Sequence, residues 1–305
     1  MILTMEQGEI VVVFGIDAAY VPYVAATITS ILSNTSAPRF RFIIIHDGVA
    51  GEDRRKIESC AQGHVIEWPE ITDKRALGIE TYDHITRASS YRFAIPDFAP
   101  ADAKRVIYLD SDLIVLGDLR ELSEIDLGEN MIGAVFDAGV DFDAFAKRWA
   151  LPAKRLSYFN AGVLVLDLEK IRATGALESA FELLSSRAHE FQFGDQCVLN
   201  LLFWDKWKRL PATWNVQTRM VTPEGDPVAT PQEMQTGCRP KLIHYTGAIK
   251  PWSRDPYHPF VWEFYRYLRR TPYWLSVNAA AQTTPWKHLR QYIKTVLNLG
   301  RLKAC

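Results

Sequence analysis

The chain has 305 residues, with 35 Lys and Arg against 36 Asp and Glu, a length that supports one large α/β domain or two small ones around a substantial core. Its apolar and charged fractions are those of an ordinary globular protein, and a formal charge of −1 excludes nucleic acid as the obvious partner. The four cysteines, Cys60, Cys197, Cys238 and Cys305, are widely spaced and form no C-x-x-C pair, so neither a zinc site nor a disulfide framework is expected and a reducing, cytoplasmic setting fits.

The first apolar run, residues 10–16, carries no basic leader and is too short to cross a bilayer, so it predicts a buried strand ending at Asp17. Residues 20–33 repeat apolar side chains at helical spacing, 40–46 is a second β-branched run, and 51–61 and 88–97 are again helical in period. Strands follow at 105–109, 131–136 and 163–167, then a helix at 195–204 and a last strand at 241–244. Strands that alternate with helices predict an α/β fold, a mostly parallel central sheet flanked by helices. Before the last strand, residues 222–240 are rich in Pro, Gly and Thr and predict a mobile loop. No internal repeat interrupts the pattern and no boundary is marked before about residue 270, so 1–270 is expected to form one domain and 271–305 a basic segment beyond it.

In sheets of this kind ligands bind beyond the carboxyl ends of the strands, which singles out Asp17, Asp110, Asp112, Asp137 and the residues after His244. The run Arg105-Val106-Ile107-Tyr108-Leu109-Asp110-Ser111-Asp112-Leu113-Ile114-Val115-Leu116 sets two carboxylates two residues apart between apolar segments that need burial. Two ionised carboxylates at the edge of a core repel one another unless a cation sits beside them, and a divalent metal meets that need. Oxygen ligands suit Mg²⁺, Mn²⁺ or Ca²⁺; an imidazole from His244 tilts the set towards Mn²⁺, with Mg²⁺ as the second choice. The plain alternative is a turn capped by Asp110, Asp112 and Asp118, because D-x-D alone recurs in unrelated proteins.

Six blocks in order narrow the choice. They are Phe14-Gly15-Ile16-Asp17; Ala88-Ser89-Ser90-Tyr91-Arg92-Phe93; Tyr108-Leu109-Asp110-Ser111-Asp112; Tyr158-Phe159-Asn160-Ala161-Gly162-Val163; Gly194-Asp195-Gln196-Cys197-Val198-Leu199-Asn200; and Ile243-His244-Tyr245-Thr246-Gly247-Ala248-Ile249-Lys250-Pro251-Trp252. On these, from about Ile10 to Trp252, the chain resembles the family 8 glycosyltransferases. Those are retaining enzymes of the GT-A nucleotide-diphospho-sugar transferase fold; they include bacterial lipopolysaccharide galactosyl- and glucosyltransferases and, more distantly, glycogenin. The resemblance implies transfer of a hexose, galactose or glucose, from a UDP-sugar to a saccharide or glycolipid acceptor such as lipopolysaccharide core or another surface glycan. It implies that Asp110, Asp112 and His244 hold the metal against the donor's diphosphate, with Ser111, Gly247 and Lys250 also at the donor. Gly15, Ile16 and Asp17 would line the uridine pocket and Tyr20 would stack on the base. Arg92 would reach donor sugar and diphosphate, and Asn160 and the Ala161 backbone the donor sugar. Asp195 and Gln196 would flank the anomeric carbon as the catalytic pair, and Asp137 would orient the acceptor.

Two positions depart from the family: Ala19, where an Asn is frequent, and Cys197, where most members carry a second acid. Without that carboxylate a covalent nucleophile is poorly supplied, which favours front-face attack with the departing diphosphate taking the acceptor's proton. The same two positions would mark a nucleotide-sugar binding module that has lost catalysis. A D-x-D, Mg²⁺-dependent phosphatase of the haloacid dehalogenase type is the other competing class, although it sets its aspartates after the first strand. Trp204, Trp207 and Trp214 are candidates for stacking on a sugar, with core packing the plainer role for at least two. After Glu263 no acidic residue occurs, whereas Arg266, Arg269, Arg270, Lys287, Arg290, Lys294, Arg301 and Lys303 are basic, and Trp274, Trp286, Tyr292, Val296 and Leu299 interleave them. That pattern predicts peripheral contact with an anionic membrane, against the plainer reading of a solvated helix or tail; the resemblance implies the cytoplasmic face, where lipopolysaccharide acceptors are built.

Overall fold

Parallel pairing of two β-branched runs starts the architecture. β1 (Glu9–Ile16) lies beside β2 (Arg39–His46) with Val13 opposite Ile43, and both are buried along nearly their whole length, as strands covered on two faces must be. The computed structural model describes residues 8–36, 39–79, 86–222 and 228–305. Its further strands are β3 (Val65–Glu67), β4 (Arg105–Leu109), β5 (Leu113–Val115), β6 (Ile132–Phe136), β7 (Phe159–Asp167), β8 (Trp207–Arg209), β9 (Val216–Gln217) and β10 (Leu242–His244). Seven of the ten form one sheet in the order β3-β2-β1-β4-β7-β6-β8, parallel except where β7 runs against β4 and β6.

Successive residues of β1 enter opposite layers. Val12 and Phe14 join a core with Ile28, Leu109 and Phe264; Val11 and Val13 join another with Tyr91, Tyr108 and Phe181. Truncating a side chain as enclosed as Phe14 costs about 3–5 kcal/mol, so these layers fix where β1 stops and Asp17 begins. The helix Val21–Asn34 covers the first face, and its small buried residues reach the next strand: Thr27 Oγ1 donates to Leu113 O (2.8 Å) and Val115 N donates to Ser30 Oγ (3.0 Å). The helix Gly194–Leu202 lies on the second face through Val198 and Leu199. The helical period at 88–97 resolves into a 3₁₀ turn, Arg87–Ala94, and a short α-helix, Ile95–Phe98. Pro96 has no N–H to donate into the preceding turn, so the chain restarts there.

A second, three-stranded sheet, β5-β10-β9, sets β10 antiparallel to β5 with His244 opposite Leu113. Beyond it the helices Val261–Leu268, Trp274–Ala280 and Pro285–Gly300 follow. Of the expected mobile loop, residues 223–227 lie outside the described residues, and 228–240 is laid down as turns such as Met234 N to Thr230 O and Cys238 N to Gln235 O. The expectation that no cysteines pair is corrected: Cys238 and Cys305 form a disulfide, Cα atoms 5.5 Å apart, while Cys60 and Cys197 are free. Spacing rules look for neighbours, whereas this pair is 67 residues apart and meets because Arg239 N donates to Lys303 O and Lys303 N to Gly237 O. Among the described residues no helix is long and apolar enough to cross a membrane.

Candidate active site

β4 ends in the large sheet and β5 begins in the small one, so Asp110-Ser111-Asp112 is the crossing between the two. Asp110 N donates to Gly162 O (2.8 Å) and Tyr245 N donates to Asp112 O (3.0 Å), which pins the crossing to β7 and to the residue after β10. Asp110, Asp112 and His244 then each offer a ligand atom within 4.8 Å of the others. His244 Nε2 lies 3.2 Å from Asp112 Oδ1 and 3.7 Å from Asp110 Oδ2. Two ligands at right angles on an ion ~2.1 Å away lie about 3 Å apart, so two carboxylates and an imidazole at this spacing fit a hard divalent cation. Gly162 makes the approach feasible: a Cβ there would stand 2.2 Å from His244 Cε1 and 2.7 Å from Asp110 Oδ2.

Cations of the chain hold the opposite sides of both carboxylates. Lys250 Nζ donates to Asp112 Oδ2 (2.5 Å) and to Tyr245 O (2.8 Å), leaving Asp112 Oδ1 turned to His244. Burial pushes the Asp112 carboxyl up, but Lys250 and then His244 outweigh it and hold the group well below the usual carboxylate range. Arg92 is buried, stacks over the Tyr108 ring at 4.5 Å, and donates from Nη2 to Asp110 Oδ1 (2.9 Å), from Nε to Ser89 O (2.6 Å) and from Nη1 to Ala161 O. Its Nε also lies 2.9 Å from Asp195 Oδ2. Burial works against its charge, yet Asp110 and Asp195 together hold it above its ordinary value. Asp195 accepts from Ser89 Oγ (2.6 Å) on its other oxygen, and burial pushes its carboxyl up against the pull of Arg92.

A chain of amides fixes the histidine. Gly162 N–H can only donate, and it faces Asn160 Oδ1 (3.1 Å). That oxygen also accepts from Asn215 Nδ2 (2.9 Å), so Asn215 turns its own Oδ1 to His244 Nδ1 (2.9 Å). An amide oxygen only accepts; Nδ1 therefore carries a hydrogen, which leaves Nε2 as the nitrogen that faces the two aspartates and is placed to ligate a metal. On the other side, Asn160 Nδ2 donates to Asp137 Oδ2 (3.0 Å) and to Gln196 Oε1 (3.2 Å). Gln196 Oε1 also accepts from Ala161 N (3.0 Å), and its Nε2 donates to Asp137 Oδ2 (3.1 Å). Asp137 thus clamps two amides as well as bordering the cleft.

Every expected site residue except Ala161 lines one cleft of about 450 Å³, and the Ala161 N–H and C=O are spent inside its wall on Gln196 and Arg92. Asp17 both caps and faces the cleft: its Oδ1 accepts from Ala19 N (2.9 Å) and Tyr20 N (3.2 Å). Tyr20 meets Tyr23 edge-on, and Tyr23 stacks on Trp252 at 3.5 Å. The approach that Gly15 permits is to the chain itself, since a Cβ would stand 2.6 Å from Ala88 O. Gly247 turns at a φ of +87°, a conformation that favours glycine. Trp204 and Trp214 are core residues, Trp207 donates from Nε1 to Ser157 O, and none of the three lines the cleft. Cys197 is buried with its Sγ 3.0 Å from the Tyr158 hydroxyl, and burial pushes the thiol up. Sequence reasoning passes over Asn215, and also Gln217, whose Nε2 donates to Phe136 O (2.8 Å) and whose Oε1 accepts from Ala138 N (2.9 Å), framing Asp137. Their one signal is two amides in the short run Trp214-Asn215-Val216-Gln217, all of it buried.

Residues 11–255 match the family described as Glycosyl transferase family 8. The chain is 28% identical over 278 residues to General stress protein A of Bacillus subtilis, covering 88% of this chain and 96% of that one. It is 26% identical over 284 residues to the lipopolysaccharide 1,3-galactosyltransferase of Salmonella typhimurium, covering 91% and 79%. A crystal structure of galactosyltransferase LgtC in complex with donor and acceptor sugar analogues superposes with a TM-score of 0.75 at 23% identity, over 92% of this chain and 100% of that one, a likeness of fold.

Proposed function

The chain belongs to glycosyl transferase family 8, with the GT-A α/β fold, and from that premise we propose a metal-dependent, retaining hexosyltransferase that takes galactose or glucose from a UDP-sugar. The acceptor is a saccharide or glycolipid, lipopolysaccharide core or another surface glycan, by likeness to the Salmonella enzyme. The observation that carries the reading is the set Asp110, Asp112 and His244, its imidazole Nε2 already turned to the carboxylates, in the wall of a cleft of ligand size.

Mn²⁺ or Mg²⁺ held there would supply a Lewis acid to the leaving diphosphate. Arg92 and Lys250 hold the two carboxylates in register. Gly15, Ile16, Asp17 and Tyr20 receive the uridine where β1 ends; Asp195 and Asn160 receive the hexose; Gln196, clamped by Asp137, lies beside the anomeric carbon. Because Cys197 is a buried thiol bonded to Tyr158 and supplies no carboxylate, retention follows front-face attack. The acceptor oxygen bonds to the anomeric carbon on the side from which the diphosphate leaves, and its proton passes to the departing phosphate oxygen. Residues 1–270 act as the catalytic domain, and 271–305 holds it at the surface of an anionic membrane through basic and aromatic side chains.

The reading is tested by UDP release from a panel of UDP-sugars with Mn²⁺, with Mg²⁺ and with EDTA. Turnover of one UDP-hexose is expected only with metal, and Asp110→Asn or Asp112→Asn should abolish it. Turnover in EDTA, or wild-type rates in both variants, sinks the metal role; UDP binding without turnover on any donor returns the binding module.

A further inference from the structure

The helix Pro285–Gly300 buries one narrow side. Thr295 Oγ1 donates to Pro259 O (3.1 Å) and His288 stacks on Trp274 at 5.2 Å. At 100° per residue, Trp286, Leu289, Ile293 and Leu297 fall on the outward side, where they are 73%, 45%, 49% and 56% exposed. An apolar arc of this extent left in water marks a surface that something covers.

Both edges of the arc are cationic. Arg290, Lys294 and Arg301 follow Leu297 round the helix on one edge. On the other, Val296 and Leu299 line a cavity of about 720 Å³ that they share with Trp262, Arg239, Arg266 and Arg269. Glu263 is the one acidic side chain in its wall and is paired with Arg266 at 3.2 Å. Lys241, also in the wall, is paired with Glu121. Arg239 Nε donates to Leu302 O (3.3 Å) and Arg269 lies over the Trp262 ring at 6.0 Å, contacts that leave both charges uncompensated.

We propose that this cavity seats one anionic phospholipid, its phosphodiester between Arg239 and Arg269 and its upper acyl chain against Trp262, Val296 and Leu299. The proposal rests on the membrane reading above and gives it a specific lipid site. Guanidinium forks match a phosphodiester's paired oxygens. The exposed arc alongside enters the acyl boundary of the same leaflet, as an interfacial helix does. The Cys238–Cys305 disulfide holds the wall to which Arg239 belongs.

The test uses the full chain with its disulfide intact. Calorimetric titration with dihexanoylphosphatidylglycerol, kept below micelle formation, reads the cavity alone. Co-sedimentation with phosphatidylcholine vesicles, with and without phosphatidylglycerol, reads the membrane. One short-chain lipid per chain is expected, bound about tenfold or more weakly by Arg239→Ala/Arg269→Ala and equally by Trp286→Ser/Ile293→Ser, which instead loses vesicle binding. All four positions are exposed, and circular dichroism checks that both variants fold. Unchanged lipid affinity in the arginine variant overturns the site. So does a wild type that sediments with anionic vesicles but ignores the monomeric lipid; in either case the membrane reading stands. Inorganic phosphate bound as tightly as the lipid overturns it in favour of a free-anion site. Binding to neither lipid form sinks the membrane reading together with the cavity.

Discussion

Asn215→Ala removes the acceptor that sets the His244 ring. Asn215 is fully buried and makes two bonds of 2.9 Å, one to Asn160 Oδ1 and one from His244 Nδ1. Left without a partner, a buried Nδ1–H costs about 1–3 kcal/mol. The ring escapes that cost by carrying its proton on Nε2 instead, which turns an N–H towards Asp110 and Asp112 and withdraws the lone pair a metal needs. Loss of a partner of this kind lowers metal affinity about 10- to 100-fold, or about 1.4 to 2.7 kcal/mol. Titration of Mn²⁺ in the presence of UDP, followed by the paramagnetic signal of free ion, reads that loss. Nitrogen chemical shifts of the metal-free ring read the tautomer directly. Wild-type Mn²⁺ affinity in the variant, or a wild-type ring with no hydrogen on Nδ1, refutes the reasoning.

Gly162→Ala drives a Cβ to 2.2 Å from His244 Cε1, so metal-dependent UDP release should fall about 100-fold, the effect of roughly an ångström's misplacement, with circular dichroism unchanged; wild-type turnover would contradict it. His258 is buried, its Nδ1 accepts from Phe260 N (3.1 Å), and burial, with Lys294 adding to it, lowers its pKa to about 3. Since the unfolded imidazole titrates near 6.5, the unfolded chain binds the extra proton between those values. Stability should therefore fall by about 1.4 kcal/mol per pH unit below about 6.5, levelling near 3. Urea unfolding across that window should show a shallower slope in His258→Asn, and equal slopes would rule the group out. Cys305→Ser opens a link 67 residues long and should cost about 4 kcal/mol on chain entropy. Thiol titration of the denatured wild type, without reductant, should count Cys60 and Cys197 alone; four reactive thiols would mean that the bridge does not form.

Burial on both faces is what makes the large sheet legible: the runs at 10–16, 40–46 and 105–109 lie within one residue of β1, β2 and β4 at each end. β5, β8 and β9 are two or three residues long, too short to show any period. Of the small sheet only β10, expected at 241–244, is therefore legible in sequence, and its partners β5 and β9, which bring His244 beside Asp112, are not. β7 starts at Phe159, four residues before the expected 163, because Asn160 and Gly162 interrupt its apolar run. Those two interruptions are the site itself, one holding the amide chain and the other making room for the ligands. Asp110, Asp112, His244, Asp195 and Gln196 are legible through ordered motif blocks, whereas a single Asn such as Asn215 reads as a turn until its partners from distant strands are known.

The two ligand carboxylates are divided in the same way. Asp110 gives Oδ1 to Arg92 and to the Tyr108 hydroxyl and keeps Oδ2 towards His244; Asp112 gives Oδ2 to Lys250 and keeps Oδ1 towards His244. Each protein cation therefore fixes a carboxylate without occupying the oxygen that faces the shared site. With Asp195 paired to Arg92 as well, three carboxylates meet two fixed cations, and the cluster is one charge short of balance. Uncompensated buried charge is strongly unfavourable, so on the proposed reading a divalent cation would settle the cluster and would leave it net positive. That sign would suit the diphosphate of the proposed donor, so one imbalance would serve both the ion and the donor.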